Sequence, residues 1–387
     1  MPGELVTISG SDPRVGDWTH KAFVPHPLDT ASPPLGGETY RAVAEARAQL
    51  ATLDTTAARL PNPQLLRHPT LRQEAQSTSA LEGTFEPLRE VLTADEDAPA
   101  SEALREILNF VRVAQDSFES VADGRRLTVG GLASLQGRLL AGTSAEREGS
   151  GAVRTGPVVI GRRGTATHPV YSSRFVPPPA GPGLVADFSE LLDWMNAGPH
   201  PEIDPVVAAG MAHYQFETLH PFHDGNGRIG RLLIVNHLLM LGVLSEPTLL
   251  VSPWFEARRA EYYDGLLAVS TTGDWDGWIN LFARGLAESA RATCRQLVAL
   301  ENVREQMREQ VRASNLRAQS ALDLVDYAVS RAAFTVNQAK DALGLGYGRV
   351  RDLVGTFEEF GLLSPLGERY NRSYYSPEVL DILLGAT

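Results

Sequence analysis

The sequence predicts a mainly all-α protein: a helical bundle with one small β excursion. Three observations lead there. Apolar residues recur at helical spacing through most segments between Thr39 and Leu297. A glycine- and valine-rich stretch, residues 151–164, breaks that rhythm once. From about residue 321 a different pattern begins, with two short helical runs and then a Tyr-Tyr pair.

Taken in order, Pro25, Pro27, Pro33 and Pro34 punctuate an opening expected to be irregular. Thr39–Leu60 is alanine-rich with helical apolar spacing. Thr70–Leu92 reads as helix, interrupted near Ser79 and Gly83. Glu102–Ala122 and Thr128–Leu140 follow as helices, with Thr128 as the N-cap of the second. Gly151–Gly164, with Val153, Val158, Val159 and Ile160 among glycines, reads as a short hairpin. Arg174–Gly183 is a proline-rich connector. Helices are expected over Phe188–Asn196, Asp204–Phe216, Asn226–Leu241, Glu256–Ala268 and Trp275–Leu297, with Trp275 and Trp278 in the core. The polar residues 299–320 suit a solvated connecting helix. Beyond them, Leu322–Ala328, Thr335–Leu343, Tyr347–Phe360 and a Tyr374-Tyr375 strand trace a winged-helix outline.

A chain of 387 residues is long enough for two or three domains. Its 43% hydrophobic and 21% charged residues are those of an ordinary globular protein. The net charge of -12 argues against bulk binding to nucleic acid or anionic membranes and leaves room only for a local basic face. Cys294 is the one cysteine, which excludes an intramolecular disulfide and a multi-cysteine metal site. Met1–Gly10 has no basic, apolar signal pattern. The longest apolar run, Leu232–Val243, contains Asn236 and His237 and is too short to span a bilayer. The expected location is the cytoplasm, with no membrane partner.

The densest chemistry lies in His220-Pro-Phe-His-Asp-Gly-Asn-Gly-Arg-Ile-Gly-Arg231. Gly225, Asn226 and Gly227 precede an apolar helical run. They set exposed N–H groups at a helix N-terminus, a natural anion site. Arg228 and Arg231 stand three apart on the first turns, two guanidinium forks suited to a polyphosphate. Asp224 is a hard carboxylate for a magnesium ion bridging phosphates. His220 has the pKa range to take a proton from a hydroxyl, and His223 has the same chemistry; the residues alone do not separate the two. Phe222 is expected to point inward and hold the loop. The loop lacks the Gly-Lys-Ser/Thr of a Walker A motif, and kinase motifs are absent.

This motif resembles the signature of the Fic (filamentation induced by cAMP) family. The resemblance extends to Gly151-Ala-Val-Arg-Thr-Gly, Pro177-Pro178-Pro179, Ala212-His-Tyr-Gln-Phe-Glu-Thr-Leu and Trp275 to Trp278. It implies a Fic-type helical bundle and an enzyme: a protein adenylyltransferase that moves AMP from ATP, with Mg2+ or Mn2+, to a Tyr, Thr or Ser hydroxyl of an unidentified target protein or of itself. Carried over by position, His220 would be the general base and Asp224 the metal ligand. Gly225, Asn226 and Gly227 would form the anion nest, with Asn226 at the α-phosphate. Arg228 would hold the β-phosphate region and Arg231 the γ-phosphate. The resemblance also assigns Val153, Arg154, Thr155, Gly156, Val158, Val159, Ile160 and Gly161 to a flap whose edge pairs with the target backbone. Tyr262 and Tyr263 are candidates for an adenine pocket, although paired tyrosines on a helix are commonly packing residues.

Thr78-Ser-Ala-Leu-Glu82-Gly83 resembles the family's inhibitory motif. That resemblance implies autoinhibition by Glu82, with Thr78 and Gly83 framing it and Arg231 as the contested guanidinium. In some members such a glutamate instead orients water to remove AMP, so a de-AMPylating phosphodiesterase is an alternative. A non-catalytic, ATP-sensing DNA-binding regulator is another.

The expected organisation is an N-terminal helical region carrying the inhibitory motif over 1–105 and a Fic core over 106–298. A connecting helix over 299–320 and a winged helix-turn-helix domain over 321–387 complete it. The last segment suggests DNA contacts at Tyr347, Arg349, Arg351, Arg369 and Arg372, yet its six basic and nine acidic residues leave it at -3. Packing or dimerisation is the competing role, and the resemblance makes a homodimer an expected assembly.

Overall fold

The computed structural model describes residues 2–12, 16–60, 63–96, 98–162, 169–314, 316, 318–366 and 372–385. In chain order these form β1 (Gly3–Asp12), β2 (Gly16–Pro25), α1 (Gly37–Arg59), α2 (Pro63–Glu82), α3 (Leu88–Thr93), α4 (Glu102–Ala122) and α5 (Val129–Leu140). Next come β3 (Ile160–Arg162), α6 (Pro169–Ser172), β4 (Ser173–Phe175), α7 (Pro182–Ala197), α8 (Pro205–Leu219) and α9 (Asn226–Met240). The chain continues with α10 (Ser252–Ala257), α11 (Arg259–Thr272), α12 (Trp275–Ala313), α13 (Gln319–Ser330), β5 (Phe334–Thr335), α14 (Val336–Leu343) and α15 (Tyr347–Glu359). It closes with β6 (Ser364–Leu366), β7 (Ser373–Tyr375) and α16 (Pro377–Leu384). The fold is mainly helical with small β elements, as expected.

Two compact units divide the chain. The first holds Met1–Leu50, Arg112–Ser245 and Trp254–Glu288; the second holds Ala51–Val111, Glu246–Pro253 and Ser289–Thr387. Within the first, α8 is the hub. It packs against α9, α7, α11 and β2, and 13 of its 15 residues are buried. A helix apolar all round must sit inside the bundle. Pro205 at its first turn and Asp204, whose carboxylate accepts from the Val206 N–H at 2.8 Å, start it cleanly. Thr128 caps α5 as the sequence suggests, accepting from the Gly131 N–H at 3.1 Å.

Gly210 and Gly230 carry the closest approaches to α8. A Cβ at Gly210 would stand 2.9 Å from Ile279 and 3.0 Å from Phe282. One at Gly230, on α9, would meet Glu217 Oε1 at 2.2 Å and Phe216 at 3.0 Å. Only a residue without a side chain lets the two helices meet there.

Two local expectations need correction. The opening is no irregular stretch: β1 and β2 pair antiparallel from Gly3↔Pro25 to Asp12↔Gly16. Its strand alternation is short and spoiled by Gly10, whose missing side chain is covered by the cross-strand Trp18 ring. Among the described residues of Gly151–Gly164, only Ile160–Arg162 is strand, and it pairs with Ser173–Phe175 outside the stretch rather than within it. Of residues 299–320, expected to form a connecting helix, 299–313 are helical as the last part of α12, which runs unbroken through Ala313.

In the second unit α2 is fixed at several points. Glu74 is buried and accepts from the Ser252 N–H at 3.0 Å and its hydroxyl at 2.5 Å. The Glu96 carboxylate takes hydrogen bonds from Arg72 at 2.8 Å and Arg331 at 3.3 Å, with His68 Nε2 at 2.5 Å. His68, through its hydrogen bond most strongly, and Arg72 hold its carboxyl far below the usual range against the opposing effect of burial. Arg331 follows α13, so this node ties α13 to α2. The C-terminal part folds as α13, α14 and α15 with a three-stranded sheet in the order β5-β7-β6. Thr335 and Gln338 form a reciprocal capping box at the start of α14.

His237, on α9, is fully buried with an edge-on contact to Trp194, and neither ring nitrogen has a hydrogen-bond partner among the described residues. Burial, and secondarily His200, pushes its pKa down to about 3. The unfolded chain binds this proton near pH 6.5 and the folded chain does not. Stability is therefore full above that range and falls as pH drops toward 3, by about 1 kcal/mol per pH unit for this group. Urea unfolding of wild type and H237L at pH 7, 6 and 5 should show a shallower loss in the variant. Equal slopes would contradict a neutral buried imidazole.

Candidate active site

The site is built where α8 ends and α9 begins. His220 caps α8 in the left-handed region at φ 47, its N–H donating to the Phe216 carbonyl at 3.0 Å. A non-glycine residue holds that conformation only when its surroundings demand it. The His220 ring Nδ1 lies 3.3 Å from the Glu217 carbonyl. A carbonyl only accepts, so Nδ1 carries the proton and Nε2 presents a lone pair, the form a base needs.

From His220 the chain turns back through a loop held by its own side chains. Phe222 is fully buried, edge-on to Phe188 at 5.9 Å, as expected of an anchor. The Asn226 carboxamide grips it: Oδ1 accepts from the Phe222 N–H at 2.9 Å and Nδ2 donates to the Phe222 carbonyl at 2.8 Å. That carboxamide thereby closes the loop with one N–H and its oxygen, and Nδ2 carries a second N–H. Gly225, at φ 79, opens α9. The first-turn N–H groups that follow have no acceptors within their own helix.

Asp224 Oδ1 accepts from the Gly225 N–H at 2.5 Å and from Arg228 Nη2 at 3.0 Å. The Asp224 side chain is 43% exposed, that of Arg228 only 2%. Arg231 is buried as well, at 1%. Two guanidinium groups thus lie buried at one helix start, a costly arrangement that suits a multiply charged anion. Among the described residues no cluster of three or more His, Cys, Asp or Glu forms a metal cage. One half-exposed carboxylate does fit magnesium, which takes its other ligands from substrate phosphates and water.

Sequence reasoning missed how the loop is braced. Arg154, assigned to the flap, is 2% exposed and turns inward. Its guanidinium donates to the carbonyls of His220 at 2.8 Å, Pro178 at 2.6 Å, Leu219 at 3.3 Å and Gly156 at 3.2 Å. Its N–H donates to the Pro221 carbonyl at 2.9 Å. Burial pushes its pKa down to about 10, which still leaves it charged at neutral pH. Gln136 adds a second brace, donating to the Asp224 carbonyl at 3.1 Å and accepting from the Gly151 N–H at 2.7 Å. Neither residue carries a local spacing signal, since both act across the chain.

The rest of the flap segment lies beside the motif. Thr155 is exposed, Val153, Gly156, Val158, Val159 and Ile160 are half-buried, and Gly161 is exposed. A Cβ at Gly156 would stand 3.5 Å from His223, which puts the second motif histidine against the flap. Burial, then Arg147 and Arg154, lowers the His223 pKa. A 430 Å³ cavity beside the flap is lined by Thr155, Pro157 and Val158 together with Ile8 and Trp18 of the N-terminal hairpin.

The two candidate adenine tyrosines differ. Tyr262 is fully buried among Phe255 and Trp278, its hydroxyl on His213 at 2.8 Å. Tyr263 is half-buried, with Arg259 over its ring. Tyr262 is a core residue and does not face an open pocket.

In the second unit, Glu82 is the exposed last residue of α2, Thr78 is fully buried, and Gly83 follows at the helix end. Tyr347 is 50% exposed and Arg349 and Arg351 are exposed at the start of α15. Arg351 pairs with Asp352 at 3.0 Å, and Arg349 donates to Ser320 at 3.1 Å. Arg372 is half-buried; Arg369 lies outside the described residues. No helix of the described residues is long and apolar enough to cross a membrane.

Comparison with known proteins gives two family matches. Residues 40–119 match the Fic/DOC family N-terminal model and residues 126–238 the Fic/DOC family model. Protein adenylyltransferase fic-1 of Caenorhabditis elegans is 35% identical over 143 residues, 37% of this chain and 25% of that protein. Protein adenylyltransferase Fic of Culex quinquefasciatus is 37% identical over 125 residues, 32% of this chain and 22% of that protein. The matched region thus spans about a quarter of the length of these relatives. The crystal structure of a Fic family protein from Desulfovibrio desulfuricans G20 superposes with a TM-score of 0.53 at 22% identity, over 89% of this chain and 98% of that one. At that identity the likeness is one of fold.

The Arg154 brace makes a direct prediction. R154M keeps the chain length and removes every donor, leaving buried carbonyls unsatisfied, at a cost of at least ~2 kcal/mol. Urea unfolding should report that loss; a change within about 0.5 kcal/mol, the scatter of ordinary surface substitutions, would contradict the bracing role.

Proposed function

We propose that this chain, whose residues 40–119 and 126–238 match Fic/DOC family models, transfers AMP from ATP to a hydroxyl of a protein, itself or a partner. One observation carries the reading. A histidine whose Nδ1 faces the Glu217 carbonyl ends α8, and the next helix opens at Gly225 with no side-chain cap and carries two buried arginines on its first turns.

In this reading His220 Nε2 takes the proton of a Tyr, Thr or Ser hydroxyl while that oxygen bonds to the α-phosphorus of ATP. The bond from that phosphorus to the bridging oxygen breaks, and pyrophosphate leaves with the electron pair. Charge gathering on the phosphate oxygens meets the first-turn N–H groups of α9 and the fixed guanidinium groups. Arg228 serves the β-phosphate and Arg231 the γ-phosphate. Asp224 would hold magnesium, or manganese in its place, which would supply neutralising charge to the phosphates when bound. Tyr263 rather than Tyr262 borders the adenine. The segment from Val153 to Gly161 aligns the target, its backbone pairing with an extended segment of the acceptor protein.

Glu82 restrains the enzyme, as its motif implies. The order of helices and strands from α13 to β7 supports a winged-helix reading of the C-terminal part. There Tyr347 and Arg349 are the residues best exposed for a DNA contact, while the paired Arg351 and the acidic balance of the segment favour a protein partner or a second copy.

Intact-mass spectrometry after incubation with ATP and magnesium tests this reading. E82G should acquire AMP adducts at least about ten times faster than wild type, a gain equivalent to roughly 1.4 kcal/mol, and H220A should acquire none. Equal rates in wild type and a folded E82G would sink the restraint; adducts persisting in H220A would sink the base.

A further inference from the structure

His213 lies on α8, seven residues before His220, and so about two turns along the same helix. It is 2% exposed. Its Nδ1 lies 3.1 Å from the Gly230 carbonyl on α9, and its Nε2 lies 2.8 Å from the Tyr262 hydroxyl on α11. The carbonyl fixes the tautomer: Nδ1–H donates to Gly230, and the Tyr262 hydroxyl donates to Nε2. The imidazole plane is nearly parallel to Trp278, at 6.1 Å and 22°, and to Phe282, at 6.2 Å and 29°. Both nitrogens and the ring's surroundings are therefore specified.

The carbonyl that His213 holds belongs to the peptide unit joining Gly230 to Arg231. At Gly230 α9 passes so near α8 that a Cβ would meet Phe216 and Glu217. This hydrogen bond is thus a strut between the helix that ends in the base and the peptide that launches the outer arginine. A ring locked on three sides resists the small sliding by which packed helices accommodate one another.

We propose that His213, relayed from Tyr262, is a positioning residue that fixes Arg231 relative to His220, so that the γ-phosphate and the base are held at one separation. The inference rests on the adenylyltransferase reading above, in which Arg231 contacts the γ-phosphate. It assigns His213 no contact with substrate.

The test is the ratio of ATP to ADP affinity, measured by calorimetry with magnesium in full-length E82G, where the proposed restraint is absent. R231A should lower the ratio about ten-fold. H213F keeps an aromatic ring and removes both hydrogen bonds; it should lower the ratio about three-fold or more with ADP affinity unchanged. H213N places an amide N–H near the Nδ1 position and should recover most of the loss. Where H213F does not fold, Y262F, which deletes only the relaying hydroxyl, should shift the ratio in the same direction. A purely structural role would weaken ATP and ADP alike. If R231A lowers the ratio and the folded His213 and Tyr262 variants leave it unchanged, the positioning role is wrong and the phosphate reading stands. If R231A leaves it unchanged, the phosphate reading falls, and this inference with it.

Discussion

A left-handed residue at His220 lets two buried helices stop and start within a six-residue turn, and most of the site follows from that constraint. A histidine pays a conformational penalty there that a glycine would not. The penalty is offset by tertiary contacts: the Arg154 guanidinium on the His220 and Leu219 carbonyls, and the Asn226 carboxamide on both backbone groups of Phe222. Once the turn is held, the His220 ring rests on the Glu217 carbonyl and α9 must begin beside it. The geometry of the base and of the anion-facing helix start are therefore one problem with one solution.

The same turn explains why charge is buried here. Arg228 and Arg231 lie on a helix whose first 13 residues are all buried. Burying guanidinium groups opposes folding unless a compensating anion or fixed dipoles surround them. Arg228 has Asp224 at 3.0 Å, an i,i+4 pair half open to solvent on its acidic side. The neutral His213 and His237 on α8 and α9 keep further positive charge out of this core; burial pushes both pKa values down to about 3, with Arg231 adding to the shift at His213. The bundle concentrates its cationic character at one helix start, where a polyphosphate can use it.

Much of this was legible because it is local. Base, carboxylate, glycines and arginines are adjacent in the chain, and the spacing of Arg228 and Arg231 places them on successive turns of one helix. Thr128 as a cap and Glu102–Ala122 as a helix are equally short-range facts. What escaped depends on partners far away in sequence. Arg154 looks like a flap residue until it is found against carbonyls 65 and 66 positions on. Tyr262 looks like a ligand aromatic until its hydroxyl meets His213, 49 positions earlier. The β1–β2 hairpin hid behind prolines and a glycine whose space Trp18 fills. Periodicity records which face of an element is apolar, not which distant group will satisfy a polar one.

In the proposed reaction the His220 turn and the α9 helix start together perform AMP transfer. The most direct measurement gives E82G and its H220A derivative ATP labelled on either the α- or the γ-phosphate, and follows label into protein. AMP transfer should give stable label from the α-position in E82G, none from the γ-position, and none from either in the H220A derivative. Stable label from the γ-position without label from the α-position would contradict it.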